Sequence, residues 1–407
     1  MKVSLVLTGL TVCLVFPLRA QNIVNKLGTG GVFSIKDATK DFFTLSQSNG
    51  RVGIGTTNPS HLFQVARLIN FDSLTTTTAL GYRSLYSNTT GDNNTAIGPY
   101  VLFSNTTGVF NTAAGRSALF ANTTGSLNVA FGAGSLIENI SGESNTAVGL
   151  DALRLNTGSY NTGVGTQALY STMASQNNVG IGSNAGDSFH NGYNNVFLGA
   201  NTDVNQPDLF NVVAVGEGTI VTASSTARFG NSSTGSYGGW ANWTNVSDAR
   251  FKKNLRENVP GLEFILKLRP VTYNFDATGM EEFLHKNDAH GRQATPDSAG
   301  KKIREKALLD KERITQTGFV AQEVETAARE LGYDFSGVDK PKNENDYYGL
   351  RYAEFVVPLV KAVQELKAEN TEVKARLAIL ERLQERLVAQ LARLQGEATA
   401  AASLAGN

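Results

Sequence analysis

Ser247 and Lys252, five residues apart, are the pair in this chain best suited to covalent chemistry. A serine hydroxyl is a weak nucleophile until a base takes its proton, and a lysine amine can serve once desolvation or nearby positive charge lowers its pKa. Spacing alone does not join them. Five residues put two side chains on opposite faces of a strand and about 140° apart on a helix, so the backbone must bend or the lysine must act across a subunit boundary. Other chemistries are poorly supplied. The four histidines (His61, His190, His285, His290) are scattered and the one cysteine is Cys13, so no metal and no cofactor is expected. Gly53 to Pro59 reads G-I-G-T-T-N-P but lacks the Gly-Lys-Ser/Thr of a phosphate loop, and its proline falls where a helix would begin. No two carboxylates are marked as a glycosidase pair.

The pair sits at a change of composition. Before it the chain is rich in Asn, Thr and Gly; after it the chain is charged and much less repetitive. The 407 residues, 41% hydrophobic, are enough for two or three domains. With 36 basic against 36 acidic residues and no basic block, nucleic acid is not expected as a partner.

Upstream, an Asn-x-Ala/Gly/Phe-x-Gly core starts at Asn94, Asn111, Asn128, Asn145, Asn161, Asn178 and Asn195, at steps of 17 residues with a single step of 16. A leucine returns eight residues after the first five of these asparagines, at Leu102, Leu119, Leu136, Leu153 and Leu169, and a shortened turn, Asn156-Thr-Gly158, accounts for the step of 16. A fixed period of this length marks a solenoid whose units must stack to bury their apolar positions. The residue three after each asparagine (Ile97, Ala114, Phe131, Val148, Val164, Ile181, Leu198) is expected to form one interior column and the leucines another. The asparagines can build amide ladders, and seven or eight coils would give a rod about 35 to 40 Å long. These positions are read as structural, without catalytic use. The period decays after Asn201, as a capping region does.

Residues 1–20 read as a signal peptide, with Lys2, an apolar run from Val3 to Leu18, and Leu18-Arg-Ala20 before Gln21. Its removal takes Cys13, Lys2 and Arg19 with it, leaving 36 − 2 = 34 basic residues against 36 acidic ones and a net charge of −2. No second apolar span is present, so the mature chain is expected to have no membrane span and to be secreted or on a bacterial cell surface. Residues 21–70 form a β lead-in, 71–216 the solenoid, and 217–244 a transition. Trp240 and Trp243, the only tryptophans, stand just before the serine; packing against the next domain is the plainer reading of them and sugar stacking the sharper one.

Downstream, Leu262–Leu268 reads as a short helix stopped by Pro270, and Val271–Phe275 as a strand. The charge run Lys301–Arg313 alternates in sign, which suits a solvated helix or mobile insertion rather than a binding patch. From Val356 a heptad is clear, with a positions Val356, Val363, Asn370, Leu377, Gln384 and Leu391 and d positions Leu359, Leu366, Val373, Leu380, Leu387 and Leu394. That pattern predicts a coiled coil over 356–395, with polar Asn370 and Gln384 fixing register and the strand number open between two and four. Residues 396–407 are a small-residue tail, expected to be flexible.

The motif S-D-A-R-F-K-K-N over Ser247–Asn254, then Leu268-Arg-Pro-Val-Thr-Tyr273, Gly318-Phe-Val-Ala-Gln-Glu-Val324 and Tyr348–Leu366 running into the heptads, resembles the intramolecular chaperone auto-processing domain of phage tailspikes and endosialidases. The likeness spans roughly 245–394. It implies that residues 245–355 help three chains assemble and then cut themselves off between Val246 and Ser247, once, by a Ser247 nucleophile and Lys252 base. Asp248, Arg250, Lys253 and Asn254 fall where the family motif has them. The repeats also resemble the heads of trimeric bacterial adhesins, though with a longer period. The expected fold is mostly β with C-terminal α: a repetitive trimeric β-solenoid or β-roll, then an α+β chaperone domain ending in a long coiled coil. The expected function is a homotrimeric fibre or adhesin whose chaperone is removed. The alternative is a surface protein whose trimerisation base is permanent. Surface carbohydrate or a host receptor stays open as a further partner.

Overall fold

The computed structural model describes strands Val32–Lys36, Asp41–Ser46, Arg51–Ile54, Phe63–Val65 and Ile69–Phe71, and then residues 76–286 and 298–404. The signal-peptide reading of 1–20 lies outside the described residues.

The repeats form a β-solenoid of about nine turns. Each Asn-x-x-x-Gly core contributes a three-residue strand, and so do the equivalent stretches at either end, where Thr77 and Val212 stand in place of the asparagine; from Thr78–Leu80 through Val213–Val215 each lies parallel and in register on the next. Nine steps at the spacing between strands give a rod of roughly 43 Å. The solenoid runs beyond residue 216, because Ala227–Phe229 pairs in parallel with Val213–Val215 and closes the sheet.

The core carries one correction. The residues three after each asparagine do not point inward: Ile97, Phe131, Val148, Ile181 and Leu198 are exposed. Side chains alternate along a strand, so with the asparagine inside, the residue two further on is inside as well and the third faces out. Ala96, Ala113, Ala130, Ala147, Phe197 and Ala214 are that inner column and are fully buried. The leucine column is buried as expected, at Leu102, Leu119, Leu136, Leu153 and Leu169, each at a φ near +50°. L residues rarely adopt that conformation alone; here the stacked neighbours above and below hold it. Space inside is tight enough that a Cβ on Gly180 would come within 2.7 Å of the Leu169 side chain.

The asparagines are buried and form the expected ladder. Asn111, Asn128, Asn145 and Asn178 each donate Nδ2 to the Oδ1 of the asparagine one coil back, at 3.0 to 3.2 Å. A second ladder joins Asn88, Asn105, Asn122 and Asn139 at 2.8 to 3.0 Å. It stops at the short step. Asn156 donates only to the Gly158 carbonyl at 3.0 Å, and Asn139 Oδ1 is buried without a partner.

Downstream is a small α+β body. Helix α1 (Leu262–Lys267) precedes strand Val271–Asn274, which pairs antiparallel with Thr315–Gly318. Between those strands lie α2 (Ala277–His285) and α3 (Ser298–Glu312). Helix α4 (Ala321–Glu330) and a two-stranded pair, Val338–Asp339 with Gly349–Leu350, follow. Phe264, Val324, Ala327, Ala328, Phe335, Val338 and Phe355 make the core. Helix α5 (Val356–Leu404) then runs 49 residues, about 74 Å. Its first turns pack on α1, where Glu365 accepts the Leu262 backbone N–H at 2.7 Å. From Leu366 to Gly396 every residue is exposed, including all the a and d positions beyond Val363. The helix continues through the alanines past Leu394 to Leu404, as their high helix propensity favours; residues 396–404 of the expected tail are helical.

Candidate functional site

The solenoid and the α+β body are joined by a stretch without packing. From Gly235 to Asn258 every residue except Asp248 is exposed. Trp240 and Trp243 are among them, so in the single chain neither tryptophan packs against the next domain as its plainer reading requires.

Within this stretch the backbone makes the bend that the Ser247–Lys252 spacing demands. Residues Ala249–Phe251 form one 3₁₀ turn. Asp248 caps it, accepting the Arg250 N–H at 2.9 Å, as short acidic side chains do at helix starts. The Arg250 guanidinium returns to the same carboxylate at 2.6 Å and holds the Asp248 carboxyl below its ordinary pKa. The turn reverses the chain so that Lys252 Nζ donates to Ser247 Oγ at 2.8 Å. Two residues on, Asn254 takes a φ of +54°, a conformation that asparagine tolerates better than most residues. Of the motif side chains, Ser247 is thus paired with Lys252 and Asp248 with Arg250, while Lys253 is exposed with no partner among the described residues.

The Val246 side chain is 87% exposed, and among the described residues none donates to the Val246 carbonyl. In this arrangement the lysine is the donor and the serine oxygen the acceptor. Proton abstraction needs the reverse, a neutral amine facing the hydroxyl, and burial is what favours that state.

Residues 247–333 match the family model described as chaperone of endosialidase. The match begins on Ser247 itself and ends on Tyr333, whose ring stacks on Phe335 and meets Phe264 edge-on inside the core. The chaperone segment therefore takes in the bend, α1 to α4 and the strand pair between them; α5 follows it. No curated protein and no solved structure matches the chain.

Glu323 of the chaperone segment is paired with Arg269 at 2.5 Å, which holds its carboxyl below the usual value; neither it nor Gln322 touches Ser247 or Lys252. Among the described residues no His, Cys, Asp and Glu side chains gather into a metal-binding cluster, and no helix is long and apolar enough to cross a membrane. One part of the expectation is corrected. The charge run Lys301–Arg313 is not merely a solvated face: Lys311 donates to the Thr234 carbonyl at 2.9 Å, and Arg304 reaches Glu217 at 3.7 Å and also pairs with Glu281. Sequence reasoning also missed the loop Asn343–Tyr347, whose contacts with the solenoid join residues more than a hundred positions apart and leave no local signature.

Proposed function

We propose that this chain is a secreted, homotrimeric fibre protein whose C-terminal chaperone aligns three solenoids and then severs itself between Val246 and Ser247. The observation that carries the reading is the 2.8 Å contact of Lys252 Nζ with Ser247 Oγ at the first residue of the family match. Two apolar faces left open by a single chain support the assembly part. One is the outward column Ile97, Phe131, Val148, Ile181 and Leu198 along the rod; the other is the a/d seam of α5. Contiguous exposed apolar surface of this kind marks a protein interface. A C-terminal coiled coil raises the local concentration of strands whose long-range pairing is slow.

The chemistry follows from the positions. Lys252, in its neutral form, takes the Ser247 hydroxyl proton while Oγ attacks the Val246 carbonyl carbon. The tetrahedral oxyanion collapses with breakage of the Val246–Ser247 C–N bond, and the proton held on Lys252 passes to the departing amine, leaving Val246 esterified to Ser247 Oγ. Water then hydrolyses the ester to a Val246 carboxylate and a free Ser247 hydroxyl. A donor to the oxyanion is needed, and a neighbouring chain is the natural source. The openness of the bend in one chain favours the second reading, a permanent trimerisation base that never cuts.

Intact mass on the mature protein beside its Ser247→Ala variant separates the two. Fragments 21–246 and 247–407 from the unsubstituted chain, with the variant whole, are expected. If both stay whole as trimers, self-cleavage is wrong and the second reading stands.

A further inference from the structure

Besides the covalent link across Val246–Ser247, side-chain contacts join the two halves. Among the described residues, the hydrogen bonds made by the exposed stretch Gly235–Asn258 are local ones: Tyr237 bonds back to the Phe229 carbonyl, Arg250 pairs with Asp248, and Lys252 meets Ser247. The contacts between solenoid and chaperone lie elsewhere, on either side of the bond to be cut. On one flank, the loop after α4 grips the last coils. Asn343 Nδ2 donates to the Thr222 carbonyl at 2.8 Å while its Oδ1 accepts from Gln206 at 2.7 Å. Asn205 donates to the Asn345 carbonyl at 2.6 Å, and the Thr222 hydroxyl donates to Asp346 at 2.5 Å. Arg228, on the final strand of the solenoid, lies 5.1 Å from the ring centre of Tyr347. On the other flank, α2 and α3 hold the turn beyond that strand through Ser232–Glu281 and Lys311 to the Thr234 carbonyl, and Arg304 reaches Glu217 in the preceding coil. Bonds within the loop also shape it: Asn343 Oδ1 accepts the Asn345 N–H at 2.9 Å, and Asp346 accepts the Lys342 N–H at 3.0 Å.

We propose that after scission the chaperone fragment stays docked on the C-terminal end of the solenoid as a non-covalent cap, its ligand being the coil surface formed by Asn205, Gln206, Thr222 and Arg228. The proposal rests on the cleavage reading for its biological occasion, but the docking itself does not depend on which agent cuts. A terminal coil presents unpaired strand edges, which are templates for unwanted pairing, and solenoids need such ends covered. Cutting an exposed tether removes none of the contacts that do the covering; it only turns an intramolecular contact into an intermolecular one. In a trimer three such caps act together.

The test uses the full chain. In a Ser247→Ala background, residues 238–244 are replaced by the recognition sequence of a site-specific protease, the trimer is cut, and the product is run by gel filtration at neutral pH. Co-elution of both fragments is expected. The variant Asn343→Ala/Asp346→Ala/Tyr347→Ala is expected to release its fragment, with docking weakened roughly a hundredfold by the loss of several hydrogen bonds. Arg228→Ala, which leaves the chaperone sequence intact, is expected to weaken it in the same direction. Separation of the unsubstituted fragments overturns the proposal, and so does undiminished co-elution of the triple variant. Because the cut is made by an added protease, neither result depends on whether the protein cleaves itself.

Discussion

The solenoid and helix α5 are both long and both repetitive, yet they solve the burial problem in opposite ways. The rod satisfies most of its buried polar groups within one chain: asparagine side chains bond from coil to coil, and alanine and leucine columns fill the interior. Helix α5 is satisfied in its backbone, but its apolar seam is open along most of its length. Order in the rod is therefore propagated from neighbour to neighbour, while in the proposed trimer order along α5 comes from other chains. A helix in a folded protein gains most of its stability from packing an apolar face, and beyond Val363 the a and d positions of α5 have no such packing in one chain.

That contrast can be broken most sharply at the seam. Leu366→Asp with Leu380→Asp puts charges at two d positions, and sedimentation is expected to show complete loss of the proposed trimer. A trimer surviving both changes would mean that the rod, not α5, drives association. Within the rod, the contrast is sharpened by comparing two asparagines. Asn128→Ala removes the Nδ2 bonds to Asn111 Oδ1 and to the Gly142 carbonyl, keeps the backbone N–H bond to Asn111, and leaves the Asn145 N–H groups that Asn128 Oδ1 accepted unpaired. A loss of about 3 kcal/mol is expected from thermal or denaturant unfolding. Asn139→Ala, at the end of its ladder with a side-chain oxygen already unpartnered, is expected to cost about 1 kcal/mol. Equal losses would show that the ladders do not act as chains of bonds.

The smallest expected effect concerns the seam between the regions. Burial tends to raise the Asp346 pKa, but the Thr222 hydroxyl and the Lys342 and Tyr347 N–H groups, with Arg228 nearby, outweigh it and set the value below the ordinary 3.8. A lowered carboxylate pKa stabilises the docked state above the ordinary value, and that stabilisation is lost as pH falls through the lowered one. Docking of the cut chaperone is expected to be flat from pH 7 to about 5 and to weaken below 3.8. The Asp346→Asn variant is expected to lose that acid dependence in the same gel-filtration assay. Acid dependence unchanged in Asp346→Asn would assign it to another group.

Much of the fold was legible because it repeats. The step of 17, the asparagine ladder and the leucine column followed from position alone. The outward placement of Ile97, Phe131 and their equivalents was legible too, had strand alternation been counted from the buried asparagine instead of from apolarity. At the candidate site, the bend was encoded in Asp248-Ala-Arg250, where an acidic cap and a basic residue two positions later both turn the chain. The grip of Asn343, Asp346 and Tyr347 on the solenoid was not legible, since polar loop residues acquire a partner only when the whole fold brings one to them.

The step of 16 between Asn145 and Asn161 leaves the strands on either side in perfect parallel register, with Thr146 opposite Thr162 and Val148 opposite Val164. A lost residue is absorbed in a turn and never reaches the sheet. Length in this rod is thus a heritable count: copying one unit adds a coil of about 4.8 Å and disturbs nothing else, so related fibres of different reach need differ only in how often one short stretch of DNA was duplicated.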